Sequence, residues 1–479
     1  MSSGVFIQRK KTGARKYPIK ERLMHPNNKT DRLREQLLTE GVIWKQLVFF
    51  SIPIMVGTLF QQLYNMIDAI VVGNFVGITA LAAVGGSTQQ IIGLILGFFL
   101  EVSAGAAVLI AQYYGGRDRE KLSDALHTTI AFCIVSGIAL SLMGYFLAPV
   151  FLRWMNTPED TMQGAVLYLK IYFCGIIFLL FYNVGAAILR AVGDTRKPLY
   201  YLIVCCALNT VLDLLLVIVF DLGVFGVAAA TVFSQAISAL LVLIALLRAD
   251  DIYRLSVRRI AICGDSLAKM LRIGIPMGMQ ALMYSTANII IQMGLNHLGT
   301  DTVAAWTVVS KIDAFYWMVL TGFGIAITTF AGQNYGAEKY GRVLKGVSVC
   351  VRLTLFISIG MSLLFLVCSR GLFAIFTTDQ RVMEIGVRIL TYMAPAYALF
   401  VFIEIYSGAL RGMGDVIIPT IMTCFGICIF RIVWMLIVVP LKPTVEVVTL
   451  SHPVSWGVTA VMYIVYWNIK KKKLLEEGD

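Results

Sequence analysis

Leu189-Arg190-Ala191-Val192-Gly193-Asp194, followed by Pro198, returns 221 residues later as Leu410-Arg411-Gly412-Met413-Gly414-Asp415, followed by Pro419. The duplication extends well beyond this stretch. Gln112, Tyr114 and Gly115 recur as Gln333, Tyr335 and Gly336 at the same shift. Gly77 with Ala82 and Ala83 recurs one residue further along as Gly299 with Ala304 and Ala305, and Pro53 meets Pro276 at a shift of 223. A chain of 479 residues that repeats itself at this interval is built from two similar halves.

Between the repeated marks the chain is apolar. Charged residues make up 14% of it and hydrophobic residues 58%, with a mean hydropathy of +0.79; a soluble domain carries charge on roughly a quarter of its residues. Uncharged runs such as 130–147 and 353–367 lack the apolar-polar alternation of ~10-residue barrel strands. At about 1.5 Å per residue, stretches of about twenty such residues cross a hydrocarbon core of about 30 Å as helices. Spans are predicted near 47–75, 88–113, 123–149, 164–188, 199–220, 223–247, 270–296, 303–332, 346–368, 384–409, 417–440 and 453–469. Six spans per repeat, an even number, bring the second copy into the membrane with the orientation of the first. The expected fold is an all-α polytopic membrane protein, with twelve transmembrane helices in two parallel six-helix repeats around a central cleft. Its parts are a basic N-terminal segment 1–46, a first lobe 47–247, a linker 248–269 containing Arg254, Arg258 and Arg259, a second lobe 270–469 and a tail 470–479.

The net charge of +12 does not point to nucleic acid, because of where it sits. With these spans, 32 of the 40 lysines and arginines fall on one side, in 1–46, in alternate loops and in Lys470–Lys473; the opposite loops hold only Arg153, Arg370, Arg381 and Lys442. The positive-inside rule then puts both termini of a multi-pass cell-membrane (inner or plasma membrane) protein in the cytoplasm. The first forty residues are too polar for a cleavable signal peptide. Nine cysteines lie mostly in apolar runs with no CxxC, the pattern of small buried hydrophobes. His25, His127, His297 and His452 form no HExxH, and no P-loop appears. These absences argue against a membrane-embedded enzyme and an ATP-driven pump, and no cofactor or resident metal is expected beyond a possible Na+.

Ionisable groups inside spans mark function by default, because lipid makes them expensive. The first span carries Gln61, Asn65 and Asp68 on one stripe, the fifth carries Asn209 and Asp213 one turn apart, and Thr231 lies in the sixth. Asp68, Asp213 and Thr231 all fall roughly 10–12 Å below the same end of their spans, so they can meet at one level. The alternative is simple interhelical glue, worth ~0.6 kcal/mol per bond. The repeat is the control: Asp68 maps onto Ile290 or Ile291, Asn209 onto Phe430 and Asp213 onto Trp434. Acids needed only to hold a six-helix unit together would be present in both copies. Two neighbouring carboxylates away from water cannot both stay charged without a cation, so the group is read as a site for H+ or Na+.

Other intramembrane polar groups are candidates for the cleft: Glu101, Asn183, Glu404, Lys311, Asp313 and Arg431, with Lys311 placed to pair with Asp313 and Arg431 with Glu404. Lys170 and Arg388 lie near enough to a span end to snorkel. Tyr64, Met283, Tyr284, Tyr316 and Trp317 could line a cavity for flat or cationic organic molecules. The repeated Leu-Arg-x-x-Gly-Asp segments read either as turns, with Arg facing headgroups and Asp capping the next helix, or as parts of a gate.

The order of these segments resembles the multidrug and toxin extrusion (MATE) transporters over about residues 41–468. The segments are Gln61-Gln62-Leu63-Tyr64-Asn65 with Asp68 and Val71-Val72-Gly73, Ala111-Gln112-Tyr113-Tyr114-Gly115, both Leu-Arg-x-x-Gly-Asp-x-x-x-Pro copies, Asn209-x-x-x-Asp213, and Val308-Val309-Ser310-Lys311-Ile312-Asp313. The resemblance implies two six-helix lobes around a V-shaped cleft and efflux driven by H+ or Na+ antiport. It also implies a first-lobe cation site at Asp68, Asn209, Asp213 and Thr231, and a first helix that bends at Pro53. Members with a second-lobe sodium site carry a Glu in the seventh helix; this chain reads Tyr284-Ser285-Thr286 there, which favours coupling through the first lobe. The expected protein is a monomer in a lipid bilayer that exports organic, cationic or aromatic compounds by alternating access. The alternative is a flippase for a lipid-linked glycan, whose pyrophosphate headgroup calls for several arginines within the spans.

Overall fold

The computed structural model describes residues 38–476; of the predicted N-terminal segment and tail, 1–37 and 477–479 lie outside it. Among the described residues, eleven helices are long and apolar enough to cross a membrane: α1 Ile43–Val76, α2 Ile78–Gly115, α3 Arg119–Trp154, α4 Glu159–Ala191, α5 Arg196–Val219, α6 Gly223–Leu247, α8 Thr300–Gly336, α9 Tyr340–Val367, α10 Gln380–Gly412, α11 Ile417–Leu441 and α12 Val445–Glu476. The predicted seventh span is α7, Gly264–His297. Its 34 residues suffice for a crossing, but it is too polar to qualify by composition. The cause is its environment, since Gln280, Asn288 and Gln292 line a cavity instead of lipid.

The helices overrun the predicted spans. α12 carries Lys470–Lys473 within it, and α7 begins at Gly264, inside the predicted linker. Hydropathy registers only the lipid-facing part of a helix, whereas Lys, Glu and Arg continue it into water readily. Asp265 in the first turn of α7 favours an early start. The shortened linker is tied to α3: the Ser256 amide donates to His127 Nε2 at 3.0 Å and the Cys263 amide to Thr128 Oγ1 at 3.0 Å.

The duplication is written in the backbone. Gly77 and Gly299 (φ +116° and +98°) turn α1 into α2 and α7 into α8, while Gly193 and Gly414 (φ +98° and +84°) end the two Leu-Arg-x-x-Gly-Asp segments. Arg117 and Glu338, also 221 residues apart, adopt φ +55° and +57°, which non-glycine residues rarely do. Two large hydrophobic clusters form the lobes, one mainly from α1–α6 and one mainly from α8–α12. α1 belongs to both: Leu47 and Phe50 sit in the second-lobe cluster, Val71 and Val72 in the first. α7 crosses in the same way, with Met270, Ile273 and Met277 packed on Ala106 and Leu109 of α2, and Ile291 and Leu295 on Met435 and Val448. Pro53 and Pro276 lie within these crossing helices.

At the end carrying the basic loops the lobes close on each other. A Cβ on Gly115 would lie 2.0 Å from the Gln333 carbonyl oxygen, and one on Gly336 1.9 Å from that of Gln112, so the backbones touch. Gln112 Nε2 donates to the Gly412 carbonyl at 2.8 Å and Gln333 Nε2 to the Ala191 carbonyl at 2.8 Å. These are repeat-related bonds, each running from one lobe to the last turn of a helix in the other.

Candidate functional sites: a carboxylate pair and a central cavity

Asp68 on α1 and Asn209 and Asp213 on α5 meet between the two helices, while Gln61 and Asn65 of the same α1 stripe stay exposed. With its nitrogen turned toward the acids, the Asn209 amide donates to Asp68 Oδ1 at 2.8 Å and to Asp213 Oδ2 at 3.1 Å. Asn209 and Asp213 are fully buried and Thr231 nearly so. Asp213 Oδ1 has no hydrogen-bond partner, an open acceptor inside the lobe. Tyr64, read as a cleft residue, belongs here instead: one helical turn before Asp68, its hydroxyl donates to Thr231 Oγ1 at 3.3 Å. Sequence reasoning missed Tyr168 and Tyr172 of α4, which are buried in the core of the same lobe and stack at 6.0 Å between ring centroids. Directly after Asp213 the helix widens into a π-helical segment, Leu214–Val219, a feature frequent at functional sites.

Between the lobes lies a cavity of about 810 Å³, within the range of organic ligand sites, ~300–1,000 Å³. Of the cleft candidates, Glu101, Tyr284, Asp313, Trp317, Glu404 and Arg431 line it. Gln61, Asn65, Asn183, Met283, Lys311 and Tyr316 are not among its walls. Asn183 spends its amide on the Leu179 carbonyl of its own helix. Gln61 and Asn65 are exposed on α1 away from it.

Two predicted pairs do not form. Lys311 is exposed and Asp313 buried, because residues two apart on a helix point to different faces; the Tyr397 hydroxyl donates to Asp313 Oδ1 instead. Arg431 does not reach Glu404, whose partner is Arg411, at 3.7 Å. The turn reading, one of the two, has Arg190 and Arg411 facing headgroups; both line the cavity. Side chains lean toward the N-terminus of their own helix, which carries an arginine in the last turn of α4 or α10 back into the cleft. The walls thus hold three arginines, Arg190, Arg411 and Arg431, against three acids, Glu101, Asp313 and Glu404. Of the residues expected to snorkel, Lys170 sits 4.9 Å over the Tyr145 ring and Arg388 pairs with Glu446 at 2.8 Å. Asp194 caps α5 through the Lys197 amide, as the turn reading requires, while Asp415 receives Tyr466 and Lys470 of α12.

The MatE sequence profile matches residues 53–215 and again 276–437, the two halves of the internal repeat. The chain belongs to the MatE family of multidrug efflux transporters. Among MatE relatives it is 30% identical to the probable multidrug resistance protein YoeA of Bacillus subtilis, over 80% of this chain and 84% of that protein. It is 23% identical to the multidrug export protein MepA of Staphylococcus aureus, over 78% and 82%. Solved MATE structures in the bent and straight conformations share the fold, with TM-scores of 0.86 and 0.85 at 22% and 23% identity, covering 94% and 92% of this chain and 99% of each of those. These relatives are transporters, so the enzyme reading falls away.

Proposed function

We propose that this MatE protein is a secondary antiporter that exports organic, cationic or aromatic compounds from the central cavity in exchange for H+ or Na+ bound at Asp68 and Asp213. The observation that carries this reading is the carboxylate pair held by one amide, inside one lobe and apart from a substrate-sized cavity between the lobes. A cation arriving at two acids that share a donor changes how tightly α1 and α5 are drawn together, and α1 is one of the two helices, with α7, that reach both lobes. A site biasing a two-state element is what coupling requires. The distribution of basic residues supports a cell-membrane location with the described basic end, and both termini, in the cytoplasm. The working unit in this reading is a monomer. A lipid-linked glycan flippase gains no support from the walls, where each arginine is matched in number by an acid.

Proteoliposomes with separately imposed H+ and Na+ gradients and a fluorescent organic cation test the proposal. One gradient drives transport, and Asp68→Asn and Asp213→Asn each reduce it at least tenfold. If either variant keeps gradient-driven transport at the wild-type rate, coupling does not run through this pair.

A further inference from the structure

The repeat offers a second comparison, between the cation pocket and the place its symmetry mate occupies in the other lobe. At the 221-residue shift, Thr210 becomes Arg431, Asp213 becomes Trp434, Thr231 becomes His452, Ser234 becomes Ser455 and Gln235 becomes Trp456. The acids are gone, and a guanidinium has entered at the same level of the fold. Arg431 is 4% exposed, its Nε donates to Ser455 Oγ at 3.0 Å, and the guanidinium lies 5.7 Å from the centre of the Trp456 ring. Ser455 Oγ in turn donates to the His452 carbonyl at 2.9 Å, so the serine that holds Arg431 is itself fixed. Among the described residues no carboxylate pairs with Arg431: Glu404 is taken by Arg411, and Asp313 receives Tyr397. Trp456 is 1% exposed and its indole N–H has no acceptor. His452 packs between Trp306 and Trp456, at 5.4 and 5.7 Å between ring centroids. Arg431, His452, Trp306 and Trp456 all line the cavity.

A buried guanidinium with one bond made, beside a buried indole N–H with none, is a set of donors lacking an acceptor. We infer that Arg431 and Trp456 form an anion subsite in the second-lobe wall of the cavity, which takes the carboxylate of an aromatic substrate whose rings lie against Trp306 and Trp317. Arginine presents a planar fork that matches a carboxylate, and indole and guanidinium faces accept flat rings. The subsite rests on the reading of this cavity as the substrate cleft. It extends the expected substrates from cations to aromatic acids and zwitterions, with Glu101 in the lining of the same cavity for a positive group.

Equilibrium binding tests it without any gradient. The full chain in phosphatidylcholine nanodiscs is titrated with 1-naphthaleneacetate and with the neutral 1-naphthaleneacetamide, read by tryptophan fluorescence. The acid binds at least tenfold tighter than the amide to the wild type. Arg431→Gln removes the difference, Arg431→Lys retains part of it, and Trp456→Phe narrows it while keeping the ring. Equal affinity of acid and amide for the wild type overturns the inference whether or not any variant folds, and so does a difference that survives in Arg431→Gln. If phosphatidylglycerol nanodiscs abolish the difference seen in phosphatidylcholine, the group held is a lipid headgroup and the assignment to an aromatic carboxylate falls. Loss of transport in Asp68→Asn has no bearing on this comparison, so failure of coupling and failure of anion pairing are read apart.

Discussion

Asn209 has two N–H donors, and both are spent on carboxylates, leaving Asp213 Oδ1 with none. Removing the amide strands an acceptor on half-buried Asp68 and one on fully buried Asp213, the latter at a cost of about 1–3 kcal/mol. Asn209→Ala is therefore expected to lower the melting temperature in detergent as well as to abolish coupled transport. Addition of the coupling ion should restore part of the melting temperature, because a bound cation stabilises the folded state by mass action; an unchanged melting temperature would mean the amide is not holding the acids. The acids themselves were legible in the sequence, since a carboxylate in an apolar run stands out and the second repeat lacks it. Tyr168 and Tyr172 were not, because a tyrosine in an apolar helix carries the same signature whether it faces core, lipid or a polar pocket. Arg190 and Arg411 were misread for a related reason: position near a helix end says where a residue starts, and the lean of its side chain decides where it finishes.

Most helices were readable to within a few residues, and least so at α2, which opens ten residues before the predicted span, at Ile78, and at α7 and α12, where helix continues through polar sequence. The Gln112 and Gln333 bonds are not legible in the sequence, although both residues are marks of the repeat, because nothing in a linear sequence says that a side chain ends a helix in the other half. Each bond satisfies a carbonyl in the last turn of a helix, Gly412 of α10 and Ala191 of α4, where the helix has no further N–H to offer. Together with the glycine backbones beside them they hold the basic end shut. A net contribution of about 1 kcal/mol per bond corresponds to roughly a fivefold change in the closed-to-open ratio for each of Gln112→Ala and Gln333→Ala. Spin labels at Glu120 and Lys345, both exposed and in different lobes, should report a longer-distance population that grows in either variant and again in the double. A distance distribution identical to that of the parent protein in all three would remove these bonds from the gate.

At the scale of the molecule the scaffold is duplicated and its chemistry is not, so the proposed antiport requires a change at the first-lobe acids to be carried to the second lobe. Of the two crossing helices α1 is the one that bears an acid of the pair: it enters the second-lobe core with Leu47 and Phe50, carries Asp68 and finishes in the first-lobe core with Val71 and Val72. Between these anchors stands Pro53, which has no N–H to give the Phe49 carbonyl, so the helix is already missing a rung where one lobe's grip gives way to the other's. Relative motion of the lobes must bend α1 somewhere, and a proline is where bending meets least resistance. Pro276 stands at the corresponding place in α7, but the second lobe has no carboxylate pair to drive it. Pro53→Ala restores the rung, and the expected result is a fall of at least tenfold in gradient-driven transport with equilibrium binding of substrate unchanged and melting temperature equal or higher. Pro276→Ala, assayed beside it, should cost transport far less. If the two variants are equally impaired, bending is a property of the scaffold and owes nothing to the acids; if Pro276→Ala alone is impaired, the coupling runs through the lobe that carries Arg431.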